Sequence, residues 1–113
     1  MRGKNNQVFD KKIPKFYLRV YDVVKRIPKG RVSTYKLVAR ALHSKAYRAV
    51  GNALNKNPFK FVPCHRVVKS DGSIGGFARG TNEKERLLKE EGVEIINNKI
   101  KNFEKHLFHF DRP

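Results

Sequence analysis

One cysteine occurs among the 113 residues: Cys64, standing between Pro63 and His65 in the run FVPCHRVVKSDGSIGGFARG over 61–80. A thiol attacks electrophiles as its thiolate, so a nucleophilic Cys64 needs a base. The adjacent His65 is the residue type that accepts a proton near neutral pH. Neighbouring side chains in extended chain point to opposite faces, so the two meet only where the backbone turns, as Pro63 allows, or across a bridging water. A carboxylate on the far ring nitrogen would fix the histidine tautomer. Of only ten acidic residues, Glu90 and Glu91 stand out, at the end of a helix that follows this loop. Glu91 sits unfavourably with the dipole at that helix end, which argues for a partner holding it there. The competing interpretation makes Cys64 a small buried side chain, His65 a structural hydrogen-bonding group and Glu91 a solvated helix end. Residue types alone favour the inert thiol.

The elements that must position this pair follow from periodicity. Phe16, Val20, Val23, Val24 and Ile27 occupy one face of a first helix, closed by Pro28 and Gly30. Ser33 is the expected N-cap of a short second helix that turns Leu37, Val38, Ala41 and Leu42 inward. His43-Ser44 breaks that helix, and a third runs from about Lys45 to Asn55 with a stripe of small residues, Ala46, Ala49, Val50 and Ala53, beside Gly51. Gly costs helix stability, so something is expected to approach closely there. Two short helices with a tight break fit a helix-turn-helix or an ordinary helical hairpin equally well. Phe59 to Val68 reads as extended chain interrupted by Pro63, and Asp71-Gly72 as a hairpin turn. Gly75-Gly76 and Gly80 mark an irregular loop. Asn82 and Glu85 have capping-box spacing for a helix carrying Leu87 and Leu88, with Gly92 as its C-terminal cap. Asn97-Asn98 centres a small hairpin from Val93 to Ile100, and Phe103, Leu107, Phe108 and Phe110 are expected to fold back onto the domain. The expected class is mainly α with a short β-hairpin, a winged-helix-like helix-turn-helix domain over 15–113. Residues 1–14 form a basic lead-in anchored only by Val8, Phe9 and Ile13.

Lys and Arg number 26 against 10 Asp and Glu, a net charge of +16. On so short a chain this points to a polyanionic partner, nucleic acid before an acidic membrane surface. A lysine-rich solvated surface is the plainer alternative. No run approaches the ~20 apolar residues of a membrane span, and MRGKNN is not followed by the apolar stretch of a signal peptide. A single Cys excludes an intramolecular disulfide and suits a reducing, intracellular and cytoplasmic setting. With His43, His65, His106 and His109 it shows no zinc-ligand spacing, so no metal and no cofactor is expected.

The string Pro63-Cys64-His65-Arg66-Val67-Val68 resembles the active-site signature of the O6-alkylguanine-DNA alkyltransferases. In the same order, GRVSTYKLVARAL resembles the helix leading into that family's helix-turn-helix, RAVGNALNKNP its recognition helix and following turn, and KERLLKEEG its closing helix. The resemblance covers most of Gly30 to Gly92 and overturns the inert interpretation of Cys64. It implies one irreversible transfer of an alkyl group from guanine O6 in double-stranded DNA to the Cys64 sulfur. His65 would be the base acting through a water, Glu91 its orienting carboxylate, and Tyr35 a donor to the base ring. The damaged nucleotide must leave the stack, at a cost of a few kcal/mol, and the resemblance assigns Arg48 to fill the gap. It also implies minor-groove binding, with Ala49, Gly51 and Ala53 letting the helix approach the groove and Asn57 bracing the turn. Val67, Gly75, Phe77, Ala78 and Lys84 would surround the base.

The chain departs from the family at Phe77, often tyrosine, and at Ala78, often serine, which touches the rate and range of alkyl groups. It also offers only about 14 residues before the first helix, where many members carry a further domain. That shortness matches a compact, single-domain, monomeric form, associated with the nucleoid. It also matches alkyltransferase-like proteins, which replace the active cysteine, bind lesions and recruit excision repair without transfer; Cys64 argues against that class.

Overall fold

The computed structural model describes residues 13–77 and 79–111. Val8, Phe9 and Ala78 lie outside the described residues. Ile13 packs at the edge of the core.

Helix α1 (Lys15–Val24) is amphipathic as its apolar rows require, burying Val20, Tyr21, Val23 and Val24. Two further turns carry the chain to Ile27, also buried. Strand β1 (Ser33–Thr34) leads directly into α2 (Tyr35–Ala41). The cap of α2 is Thr34, whose Oγ1 accepts from the Leu37 N–H at 3.0 Å, and not Ser33 as expected. The Ser33 hydroxyl is turned instead toward the Phe108 carbonyl, to which it donates at 3.0 Å. After His43, which adopts φ 57°, α3 (Tyr47–Asn55) packs across α1 and α2. The pair α2–α3 is the helix-turn-helix. Tyr21 ties α1 to α3 by donating to the Ala53 carbonyl at 2.7 Å.

The segment expected as extended chain before Val68 contains instead a single 3-10 turn, Cys64–Arg66, followed by β2 (Val67–Val68). Strand β2 pairs in parallel with β1, Ser33 opposite Val67 and Thr34 opposite Val68. Because strand side chains alternate, Val67 enters the larger core among α1, α2 and α3, while Val68 enters a second core with Val32, Ile74, Leu88, Val93 and Ile100. The two-stranded ladder thus stands between both cores and carries the cysteine turn at its edge.

Helix α4 (Thr81–Glu90) begins after Gly80, whose φ of 99° favours glycine, and no side chain caps it. The helix starts at Thr81, which puts Asn82 inside its first turn, so the expected Asn82–Glu85 capping box does not form. The hairpin β3 (Ile95–Ile96) and β4 (Lys99–Ile100) is antiparallel, and Asn97 and Asn98 both take positive φ, as a two-residue turn of this hand needs. The Asp71-Gly72 turn is present, closed by a Gly72 N–H to Lys69 carbonyl bond of 3.0 Å. The last element, α5 (Phe103–His106), precedes a tail that bonds along residues 30–33. There Arg31 donates to the carbonyls of His106 and Leu107 at 3.1 and 2.6 Å. Phe108 and Phe110 rest on the larger core, Phe103 on the smaller. The fold is mainly helical with short strands, as expected, and among the described residues no helix is long and apolar enough to cross a membrane.

Candidate active site

Cys64 opens the 3-10 turn, and its side chain is buried at the wall of a cleft of about 530 Å³. A 3-10 turn rotates successive side chains by about 120°, so Cys64 and His65 diverge, though less than on a strand. Among the described residues no hydrogen bond joins them. The sulfur instead receives the Asn57 Nδ2–H at 3.0 Å. Asn57 is itself fixed by the Phe59 backbone, accepting from its N–H at 2.9 Å and donating to its carbonyl at 2.8 Å. This loop after α3 is therefore built to aim one amide at one sulfur. Burial pushes the thiol up to about 11, against the Asn57 hydrogen bond and the charge of Lys84, which favour the thiolate.

His65 reaches Glu91, the residue that caps α4, with Nε2 3.0 Å from Oε2. Glu91 also takes both arms of Arg66, Nε to Oε1 at 2.9 Å and Nη2 to Oε2 at 2.6 Å. The remaining nitrogen of Arg66 donates to the Ile27 carbonyl at 2.8 Å. Burial works against the Glu91 carboxylate, but the hydrogen bonds from Arg66 and His65 outweigh it and hold the group at about 2. An ionised Glu91 accepts, so a neutral His65 carries its proton on Nε2 and keeps an acceptor lone pair on Nδ1. His65 lies below its ordinary pKa, chiefly through burial, with Glu91 opposing that shift and Arg66 and Lys84 adding to it. Gly30 permits this arrangement: its φ is 85°, and a methyl group there would sit 3.3 Å from the Glu91 carbonyl oxygen.

Behind the cysteine, Lys84 is completely buried. Its Nζ donates to the carbonyls of Val67 and Gly76 at 2.8 and 3.0 Å and lies 3.5 Å from the Tyr35 hydroxyl. Burial lowers this amine to about 8, partly offset by Cys64. Tyr35 is raised by burial and then by Cys64. Its hydroxyl would lie 3.5 Å from a methyl group at Gly75, whose φ is 74°.

The structure gathers Cys64, His65 and Glu91 as expected, and the Tyr35 hydroxyl lies 3.5 Å from the Lys84 amine. Of the residues expected around a base, Phe77 lines the cleft with Cys64, and Gly75 adjoins Tyr35. Val67 and Lys84 do not line it. Both are fully buried, Val67 because its strand position faces the larger core, Lys84 with its amine directed at the Val67 and Gly76 carbonyls and the Tyr35 hydroxyl. In the helix expected to meet DNA, Arg48 is exposed and Ala49 and Gly51 are half-buried. Ala53 is a correction: it is fully buried against α1, so its side chain cannot face a groove. Asn57, expected to brace the turn after that helix, bonds the Phe59 backbone there and also engages the thiol. Arg66 had no assigned role in the sequence. Its signal was a basic residue next to the histidine in a chain with few carboxylates, one of them expected to serve that histidine.

Fold and site together define a helix-turn-helix domain that carries a buried thiol next to a histidine held by a carboxylate. Residues 15–93 match the model of the family described as 6-O-methylguanine DNA methyltransferase, DNA binding domain. The chain belongs to that family. It is 45% identical over 91 residues to the methylated-DNA–protein-cysteine methyltransferase of Sulfolobus acidocaldarius, covering 80% of this chain and 57% of the relative. Identity to the protein of the same name from Saccharolobus islandicus is 51% over 81 residues, 71% of this chain and 52% of the relative. The chain thus spans about half the length of the curated relatives it matches. Among solved structures, the O6-methylguanine-DNA methyltransferase of Pyrococcus kodakaraensis superposes with a TM-score of 0.66 at 44% identity, over 72% of this chain and 48% of that one. S. pombe Atl1, solved with damaged DNA containing O6-carboxymethylguanine, superposes with a TM-score of 0.74 at 37% identity, over 83% and 94%.

Proposed function

We propose that this protein repairs DNA by taking an alkyl group from O6 of guanine onto Cys64, once and irreversibly. The observation that carries the proposal is a thiol at a cleft wall with a hydrogen-bond donor on its sulfur and a carboxylate-oriented neutral histidine next in the chain. In the transfer, the thiol proton passes across a water to Nδ1 of His65. The sulfur attacks the alkyl carbon, and the carbon–O6 bond breaks. Its electron pair is left on the guanine, which takes a proton from the Tyr35 hydroxyl. The products are guanine and S-alkyl cysteine, and Tyr35 recovers its proton from the histidine side through solvent. Asn57 and Lys84 favour the thiolate, Lys84 from behind through its charge.

The target oxygen lies inside the duplex, so the nucleotide is rotated into the cleft, where Phe77 stacks on it. Exposed Arg48 on α3 fills the vacated stack, its planar guanidinium suited to bases. The net charge of +16 supports binding along phosphates, with α3 at the minor groove, the protein a monomer and residues 15–113 its working unit. The setting is intracellular.

The test is intact mass after incubation with duplex DNA bearing O6-methylguanine. A gain of about 14 Da, one methylene, that disappears in Cys64→Ser is expected for covalent transfer. Tight lesion binding without a mass change would overturn it. That outcome supports a second reading, lesion recognition without transfer; S. pombe Atl1, overlapped over 94% of its length, was solved bound to damaged DNA. Arg48→Ala should slow transfer from duplex far more than from single-stranded DNA; equal slowing refutes the flipping role.

A further inference from the structure

Glu91 Oε2 is shared: His65 Nε2 stands 3.0 Å from it on one side and Arg66 Nη2 2.6 Å on the other. A carboxylate that bonded His65 alone in a buried site would stabilise the imidazolium and hold the proton there. A base that is already protonated cannot take a proton from the thiol. We propose that Arg66 is a positioning residue that adds to burial in keeping His65 neutral, by drawing the Glu91 charge into a two-point bond and placing its own positive charge beside the ring. The inference rests on the transfer proposed above.

Geometry requires both parts of this role. Both guanidinium contacts to Glu91 are within hydrogen-bond range, and the third nitrogen is pinned to the Ile27 carbonyl at the end of the α1 segment. The guanidinium is therefore held and cannot swing away. The two nitrogens share Oε2, close enough for a direct like-charge effect that disfavours the imidazolium. The other charged groups around the ring do not replace it. Lys84 acts from behind the turn while bound to two carbonyls. Lys25, Lys60 and Arg79 line the same cleft, but Lys25 and Arg79 are paired with Asp22 and Glu83, and Lys60 is exposed to solvent. The Cys64 thiol precedes His65 and rests protonated.

The experiment compares wild type, Arg66→Met and Arg66→Lys, following the His65 ring by NMR titration and transfer to Cys64 against pH. In Arg66→Met the His65 midpoint should rise by at least about one unit, and the acid limb of the transfer profile should rise with it. Arg66→Lys, which keeps the charge, should show less than half that shift while losing rate. If Arg66→Met does not fold, Arg66→Gln, which keeps one donor, serves as the neutral variant. A lowered rate in all variants with the midpoint and acid limb unmoved would make Arg66 a mere brace and overturn the proposal. The NMR midpoint needs no reaction, so absence of transfer in wild type defeats the repair reading while leaving the Arg66–His65 coupling measurable.

Discussion

Asn57→Asp isolates the donor on the sulfur with minimal change of shape. The Asn57 amide hydrogens serve two acceptors, Cys64 Sγ at 3.0 Å and the Phe59 carbonyl at 2.8 Å, while Oδ1 accepts from Phe59 N–H. Aspartate keeps the last contact. An ionised carboxylate donates to neither acceptor, and a protonated one supplies a single O–H for both. The least effect is thus the loss of one hydrogen bond to a forming thiolate, about 1.5–3 kcal/mol. That corresponds to roughly 10- to 150-fold in the transfer rate. If the new carboxyl is ionised, repulsion at this distance adds to the loss. Single-turnover transfer from duplex O6-methylguanine measures the rate, and the pH dependence of iodoacetamide alkylation measures the thiol directly. The thiol midpoint, already about 11, should move higher. A folded variant with transfer within about threefold of wild type and an unmoved thiol midpoint would refute the role given to Asn57.

Three further outcomes follow from the same contacts. Glu91 is held at about 2, below an unfolded carboxyl, so it contributes stability that is present above the unfolded value and lost as pH falls from about 4.3 towards 2. Melting temperatures between pH 5 and pH 2 should fall more steeply in wild type than in Glu91→Gln. Thr34→Ala removes the α2 cap at about 1 kcal/mol, which should lower the melting temperature by about 4–8 °C on a domain of this size. Lys84→Met removes the positive charge behind the sulfur, and iodoacetamide alkylation of Cys64 should slow by up to about tenfold for each unit its thiol rises. An unchanged thiol midpoint would show that Lys84 serves only the Val67 and Gly76 carbonyls.

What could be seen in the sequence was whatever local pattern decides. The apolar rows of α1, the Asn97-Asn98 turn and the break at His43 are set by neighbours within a few residues, and each appears where expected. The cap of α2 was not decidable that way, because Ser33 and Thr34 are both competent. The choice is made by the Phe108 carbonyl, 75 residues on, which claims the serine hydroxyl. The register of α4 was missed for a similar reason: Gly80 adopts a backbone conformation that starts the helix at Thr81 and leaves Asn82 past the cap position. Ala53 was placed on the outer stripe by its small size, whereas its side chain is fully buried and its carbonyl accepts from the Tyr21 hydroxyl, 32 residues earlier. At the site, it was the family resemblance that assigned Cys64, His65 and Glu91; Glu90 and Glu91 were both open, and an inert thiol favoured, on residue types. Residue types could not identify the Arg66 fork or the Asn57 amide as members of it, since both depend on loops meeting in space.

The resting state of the thiol fits a protein used once. A thiol at about 11 is almost wholly protonated near neutral pH, roughly one thiolate in ten thousand. It therefore reacts slowly with stray oxidants and alkylating agents, each of which would consume the protein without repair. Under the proposed transfer, the reactive form appears only when a proton acceptor and an alkyl carbon are in place together. Burial supplies the protection, while Asn57 and Lys84 limit its cost by stabilising the anion as it forms, and Arg66 helps keep the acceptor empty until then. Strengthening any one of these without the others is self-defeating. A lower resting thiol value would raise accidental loss, and a more basic His65 would arrive at the lesion already protonated. The divided Glu91 carboxylate is where those two demands are reconciled, which makes the shared oxygen, more than the thiol itself, the point at which the chemistry of this site is set.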